Sequence, residues 1–253
     1  MEIKIVKCLT DNYSYIIFNK ENLLCAVVDP SEAGPIIEEV EKHDLNLKYI
    51  FNTHHHYDHV GGNKKLKEKY NCKVVGFEKD KERIPEIDIT LKDNQKWKNE
   101  LFECSILHIP GHTSGHICIY ISELNALFTG DTLFSLGCGR IFEGTYEEMY
   151  ESLIKLKKFP PDTRIYCGHE YTKKNSDFCL SIDSKNSKLI NKISNINKNI
   201  QNGNPTIPSI LRDELECNIF LRSDNIEIQK QLGVNRGNPI EAFTKLRDLK
   251  DNF

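Results

Sequence analysis

Alternating apolar and polar positions dominate the first two-thirds of the chain, and helical spacing dominates the rest. Residues 2–7, 13–19 and 23–28 read as strands, the third ended by Val28-Asp29-Pro30. Ser31 and the glutamates at 38 and 39 open an amphipathic helix that runs to about His43. A strand over 48–52 delivers the chain to THHHYDH; a helix over 62–70 and a strand over 73–75 follow. Residues 78–100 are charged and broken by Pro85, so hairpins and loops are expected there. Residues 101–109, 117–121 and 126–128 read as strands of a second sheet. Residues 145–157 form a helix with acids early and lysines late, and 164–167 one more strand. After about Thr172 the pattern turns helical. The Asn- and Lys-rich stretch 184–204 keeps Leu189, Ile193, Ile196 and Ile200 at helical spacing, which favours an amphipathic helix over a linker. A β-rich α/β domain over 1–172 and a small helical domain over 173–253 are expected.

Composition narrows the class. The 253 residues are 39% hydrophobic and 28% charged, enough apolar content for a real core. No apolar run reaches the roughly 18 residues a membrane span needs. The net charge of −3 disfavours nucleic acid as a partner and demands a local positive patch for any anionic ligand. Nine scattered cysteines without a CxxC pair fit reduced thiols in a cytoplasmic setting better than a disulfide framework. The opening residues alternate like strands, so the chain is expected to start directly with its fold.

The strongest chemical signal is Thr53-His54-His55-His56-Tyr57-Asp58-His59. A strand leads in, so His54 and His56 can project to one side. Asp58 and His59 are adjacent and share a direction only if the backbone turns. Such a loop suits two metals, with 54 and 56 on one and 58 and 59 on the other. Further ligand types follow three more apolar strands: Pro110-Gly111-His112, Thr129-Gly130-Asp131 and Gly168-His169. Glycine there lets the backbone turn close to an ion, and Asp131 can bridge two cations through its two oxygens. Other histidines read otherwise: His43 as solvated, His55 as pointing away, His108 as structural and His116 as a hydrogen-bonding neighbour. Cys138 and Cys167 read as packing residues.

These residues resemble the metallo-β-lactamase superfamily, whose mark is HxHxDH followed by later His, Asp and His ligands. CLTDNYSYII, THHHYDHVGGN, PGHTSGH, FTGDTLFSLGCGR, EGT, YCGHEYT and the closing RDLKDNF are similar, over nearly the whole chain, to the glyoxalase II family of hydroxyacylglutathione hydrolases. The resemblance implies an αββα sandwich with a small C-terminal α-helical domain that binds glutathione. It implies two divalent ions per chain, zinc in the simplest case, with iron or manganese also accepted. His54, His56 and His112 would hold one ion, Asp58, His59 and His169 the other, and Asp131 would bridge. A hydroxide shared by the two ions would then attack the thioester of S-lactoylglutathione, giving D-lactate and glutathione, the second step of methylglyoxal detoxification. Asp58 and Asp131 are the catalytic carboxylates of that scheme. Arg247 and Lys250 resemble the pair that grips the glycine carboxylate of glutathione. Arg140 stands where the family usually has Lys, and Tyr171 matches a tyrosine facing the peptide backbone. Phe142 departs from a common tyrosine and loses a hydroxyl. A monomer is expected, with no membrane and no nucleic-acid partner.

Three rival classes stay in view. A persulfide dioxygenase shares HxHxDH but uses one iron and oxygen; the tail with Arg247 and Lys250 argues against it. An RNA-processing nuclease shares the metal set; the acidic balance argues against it. A non-catalytic metal- or glutathione-holding protein would not need a ligand at every position.

Overall fold

The computed structural model describes all 253 residues, in two compact units. The first unit comprises residues 1–108 and 115–130, the second 109–114 and 131–253.

In the first unit, β1 (Glu2–Cys8), β2 (Asn12–Phe18) and β3 (Leu24–Val28) form an antiparallel meander. Helix α1 (Ala33–Lys42) then crosses over to β4 (Asn46–Phe51), which lies parallel to β3. The short turn α2 (Tyr57–Val60) and α3 (Asn63–Tyr70) lead to β5 (Lys73–Phe77), and β6 (Ile87–Leu91) closes the parallel half. The second set is β7 (Lys96–Lys98), β8 (Glu103–His108), β9 (Ile117–Ile121) and β10 (Ala126–Gly130), antiparallel in that order.

The two-residue period of these strands sends each face of the first sheet into a different core. One face carries Val6, Cys8, Ile16, Cys25 and Val27 against Ile36 and Val40 of α1 and Leu66 of α3. On β4 the period slips: Leu47 and Ile50 share this face because the pairing with β3 shifts register between Cys25 and Ala26. The opposite face meets the second sheet through aromatic rings. Tyr15 packs on Phe128 with centroids 5.5 Å apart, and Phe51 meets Trp97 and Phe102, each at 5.6 Å. His108 stacks on Phe77 at 4.7 Å, a packing role as expected. His43 sits 2.9 Å from Lys4 Nζ and 3.4 Å from Glu39, half in solvent. Residues 78–100, expected as loops and hairpins, supply a single turn at Glu78–Asp80 and the two strands β6 and β7.

The second unit opens with the small hairpin β11 (Leu133–Phe134) and β12 (Gly137–Cys138). Helix α4 (Tyr146–Leu156) starts in a capping box, in which Thr145 accepts from Glu148 N–H and the Glu148 carboxylate accepts from Thr145 N–H. Strand β13 (Arg164–Cys167) pairs antiparallel with β14 (Ser209–Ile210). The remaining helices are α5 (Thr172–Ile182), α6 (Ser187–Gln201), α7 (Leu211–Cys217), α8 (Ile226–Gln231) and α9 (Pro239–Asp251). Asparagine side chains cap three of them: Asn186, Asn225 and Asn238 each accept a backbone N–H of the first turn. The Asn-rich stretch over 184–204 is thus helix α6 with its Asn186 cap, not a linker. Phe178, Phe220 and Phe243 form the aromatic centre of this unit, and Tyr150 of α4 packs on Phe243 at 5.9 Å. The C-terminal helices therefore share a core with the segment that carries Asp131 and His169. No helix is long and apolar enough to cross a membrane.

Phe51 is 1% exposed at the junction of both sheets. Phe51→Ala is expected to lower unfolding stability by about 3–5 kcal/mol, read as a fall in the urea midpoint. Ile190→Ala, at a half-exposed position of α6, should change it by no more than about 0.5 kcal/mol.

Candidate metal centre

Each unit builds its own cluster of donors. In the first, β4 ends at Phe51 and the chain continues through 52–56 into α2, with His56 as the residue before the helix. This one-turn helix is the backbone turn that adjacent Asp58 and His59 require. The rings of His54 and His56 lie 4.7 Å apart and those of His54 and His59 4.1 Å. His54 and His59 are fully buried, whereas the Asp58 side chain is 37% exposed. His55 turns elsewhere, with Nδ1 3.3 Å from Asp80 Oδ2.

A residue outside the expected set organises this cluster. Asp29 follows β3 with φ +48 and is 2% exposed. Its Oδ1 accepts the Thr53 N–H at 2.8 Å, and its Oδ2 accepts the Thr53 hydroxyl at 2.6 Å. The same Oδ2 lies 3.0 Å from His59 Nδ1. A carboxylate only accepts, so His59 Nδ1 carries the proton and Nε2 keeps its lone pair. The Thr53 hydroxyl spends its proton on Asp29 and lies 3.0 Å from His54 Nδ1, so His54 Nδ1 is also the donor. One carboxylate thus sets two imidazoles with Nε2 ready to ligate. The sequence carried a signal for it: Val28-Asp29 repeats the pattern of apolar strand followed by ligand type. His116, expected as a hydrogen-bonding neighbour, is buried and stacks on His54 at 4.6 Å. Gly130 makes room for this stack, since a Cβ there would lie 2.4 Å from Thr53 Oγ1 and 2.8 Å from the His116 ring.

In the second unit, His112 Nδ1 lies 2.8 Å from the Arg140 carbonyl. A carbonyl only accepts, so His112 too keeps its lone pair on Nε2. His112 Nε2 and His169 Nε2 lie 3.5 and 3.2 Å from one oxygen of Asp131. Gly139 passes under this group; a Cβ there would sit 1.8 Å from the Asp131 carbonyl oxygen. Tyr171 stacks on His169 with centroids 4.7 Å apart and planes 6° apart. Phe142 is 62% exposed and meets His112 edge-on at 5.1 Å. Burial pushes the Cys138 thiol up to about 11 and raises Cys167 as well, so neither is a thiolate at neutral pH. The donor set is nitrogen and oxygen without sulfur, with the imidazoles of His54, His59 and His112 held by their Nδ1 atoms. That set fits a divalent cation of the zinc, iron or manganese type.

The cations gather at the end of α9. Arg140 is largely exposed, with Nε 3.5 Å from Asp251 Oδ1. Arg247, expected to meet a substrate carboxylate, is turned inward and 3% exposed. Its guanidinium donates to the Cys138 carbonyl at 2.8 Å and to Asp251 at 2.9 Å, and lies over the Phe220 ring. Lys250 donates to the Lys174 carbonyl at 3.1 Å and lies 5.2 Å from the Phe178 and Phe253 ring centres. Burial and the nearby Arg247 charge hold the Lys250 ammonium below its usual pKa.

A family model described as the metallo-beta-lactamase superfamily matches residues 10–94 and 99–169, and one described as hydroxyacylglutathione hydrolase C-terminus matches 170–253. A hydroxyacylglutathione hydrolase of Pelagibacter ubique is 56% identical over 253 residues, covering 100% of both chains. One of Rhodospirillum rubrum is 41% identical, covering 100% of this chain and 99% of its own. Among solved structures, ETHE1 from Myxococcus xanthus superposes with a TM-score of 0.67 at 22% identity, covering 99% of this chain and 100% of its own. At that identity the likeness is one of fold.

Asp29→Asn keeps the shape but replaces one accepting oxygen with a donor. It is expected to weaken zinc binding by about 10–100-fold in competition with a chromophoric chelator, with an unchanged circular dichroism spectrum.

Proposed function

This chain belongs to the hydroxyacylglutathione hydrolase (glyoxalase II) family of the metallo-beta-lactamase superfamily, and from that premise we propose the substrate, the metal ligands and the substrate contacts. It is a hydrolase of glutathione thioesters. The substrate is S-lactoylglutathione, cleaved to D-lactate and glutathione in the second step of methylglyoxal detoxification. Residues 1–172 supply the chemistry and 173–253 the recognition of glutathione. His54, His56 and His112 would hold one metal ion, Asp58, His59 and His169 the other, with Asp131 shared. Both ions would be zinc. The carrying observation is the fixed tautomer of His54, His59 and His112, each with Nδ1 on an acceptor, together with two Nε2 atoms converging on Asp131.

Two divalent ions supply, when bound, a water acidic enough to ionise near neutral pH and Lewis acidity for the thioester carbonyl. The chain's own groups do the rest. Asp29 and Thr53 keep the imidazoles of His54 and His59 from rotating. Asp58 accepts a hydrogen bond from the attacking water and orients it. Glutathione brings two carboxylates and a peptide backbone. Lys250 and Arg140 meet the glycine carboxylate, and Arg247 holds Asp251 so that Arg140 is aimed. The Tyr171 hydroxyl donates to the glutathione peptide backbone, while its ring braces His169. The exposed Phe142 offers shape only. The enzyme works as a monomer in the cytoplasm, a setting supported by its nine free, buried cysteines.

Loss of thioester absorbance tests the reaction on protein of measured metal content. Fast cleavage of S-lactoylglutathione, abolished by exhaustive chelation and restored by zinc, is expected. Oxygen uptake with glutathione persulfide and no thioester cleavage would overturn the reading in favour of the dioxygenase class. Arg140→Gln and Lys250→Met should each raise KM for glutathione thioesters by about 10-fold while leaving kcat almost unchanged. Thioesters without glutathione should respond to neither.

A further inference from the structure

The loop between β1 and β2 lies beside α2. Leu9 at its tip has φ +48, and its N–H donates to Glu32 Oε1 at 2.7 Å, which anchors the loop to the start of α1. Asn12 opens β2 opposite Cys8 and is 5% exposed. Its Nδ2 lies 3.0 Å from the Asp58 main-chain oxygen and 3.1 Å from Asp58 Oδ2. Both partners only accept, so the orientation of the amide is fixed and each of its two hydrogens has a target.

We propose that Asn12 is a positioning residue that holds the Asp58 carboxylate in its metal-binding orientation. The inference rests on Asp58 being a ligand, as proposed above. Asp58 stands on a helix of one turn, and its carboxylate is more than a third exposed. Ordering an exposed carboxylate on an ion costs conformational entropy. Asn12 grips the main chain and the carboxylate of one residue together and lowers that cost beforehand. In this position Asp58 Oδ2 lies 3.8 Å from His59 Nε2. The two atoms are close enough that one cation would be held by both. An amide suits the task better than a cation. It occupies one lone pair of Oδ2 without neutralising the carboxylate, which keeps its charge for the ion.

The test is a two-site zinc titration of the full chain against a chromophoric chelator, with the cobalt-substituted spectrum as a second readout. Asn12→Leu keeps the bulk and removes the donors; Asn12→Asp is nearly isosteric and sets a like charge against Asp58. One zinc constant should be weakened by about 10–100-fold and the other held within about twofold of wild type. Asn12→Asp should lose more, and the cobalt spectrum should change in both. In an Asp58→Ala background, Asn12→Leu should cost less than about twofold further, because the two residues act through one contact. Wild-type zinc constants in Asn12→Leu overturn the proposal. So does an equal loss in the Asp58→Ala background, which would make Asn12 a support of the loop alone. If Asn12→Leu does not fold, Asn12→Asp decides by the same criteria. Wild-type protein that cleaves the thioester yet matches both variants in zinc affinity sinks this inference and leaves the functional reading standing. Wild-type protein that binds fewer than two zinc ions sinks both.

Discussion

A buried carboxylate at the end of β3 constrains everything that follows it in the first unit. Removing Asp29 from water is costly unless its oxygens are saturated. Three donors saturate them: the Thr53 N–H, the Thr53 hydroxyl and His59 Nδ1. All three come from the segment that follows β4, so the carboxylate cannot be satisfied unless that segment folds over it. The backbone joins in. Asp29 N–H pairs with the Phe51 carbonyl, and Ser14 Oγ donates to the Asp29 carbonyl. A left-handed φ at a non-glycine residue costs on the order of 1 kcal/mol, and it persists because so many bonds over-determine it. The parallel pairing of β3 with β4 brings strand end and histidine loop together, so sheet topology and imidazole tautomer are one constraint seen at two scales.

The second unit solves the same problem with main-chain acceptors. His112 leans on the carbonyl of Arg140, and that segment is itself held by Arg247 on the Cys138 carbonyl. Glu214, fully buried on α7, accepts Leu136 N–H at 2.7 Å, Asn218 Nδ2 at 3.1 Å and Lys192 Nζ at 3.0 Å. The C-terminal helices therefore fix the loop over 135–140, and through it the ring of His112. Arg140 offers its side chain to solvent and its carbonyl to the His112 imidazole.

Much of this was legible beforehand, and the exceptions have physical causes. The period-two strands and the helix over 145–157 were readable because burial on one face writes itself into the sequence. The strand-end pattern in the sequence points to His112, Asp131 and His169. The turn α2 has only four residues and cannot display a period; it was legible only as a need, since adjacent Asp58 and His59 had to be redirected. β11, β12 and β14 are two-residue strands, below the length at which alternation means anything. Asp29 read as a strand terminator beside Pro30; its place after an apolar strand matches the ligand pattern, but its three hydrogen bonds to Thr53 and His59 are long-range. Arg247 and Lys250 at i and i+3 read as one charged face, yet Arg247 is buried. The Phe220 ring and the Asp251 carboxylate make that burial tolerable, and both are tertiary facts.

Three cations meet at the C-terminal end of α9, Arg247 and Lys250 from the helix and Arg140 from the loop after β12. Asp251 stands between Arg140 and Arg247, so two guanidinium groups share one carboxylate. Desolvation and the Arg247 charge lower the Lys250 pKa, with Asp177 acting the other way. A group whose charged form is destabilised in the free protein gains most from an incoming anion. By linkage, a carboxylate that stabilises the ammonium must raise its pKa, and protonation must tighten the carboxylate to the same extent. The sign follows: anion affinity is full below the lowered pKa of Lys250 and is lost as pH rises through it, short of the ordinary lysine range. A protein of net charge −3 thus gathers three cations around one helix end, where the glutathione carboxylate is proposed to bind.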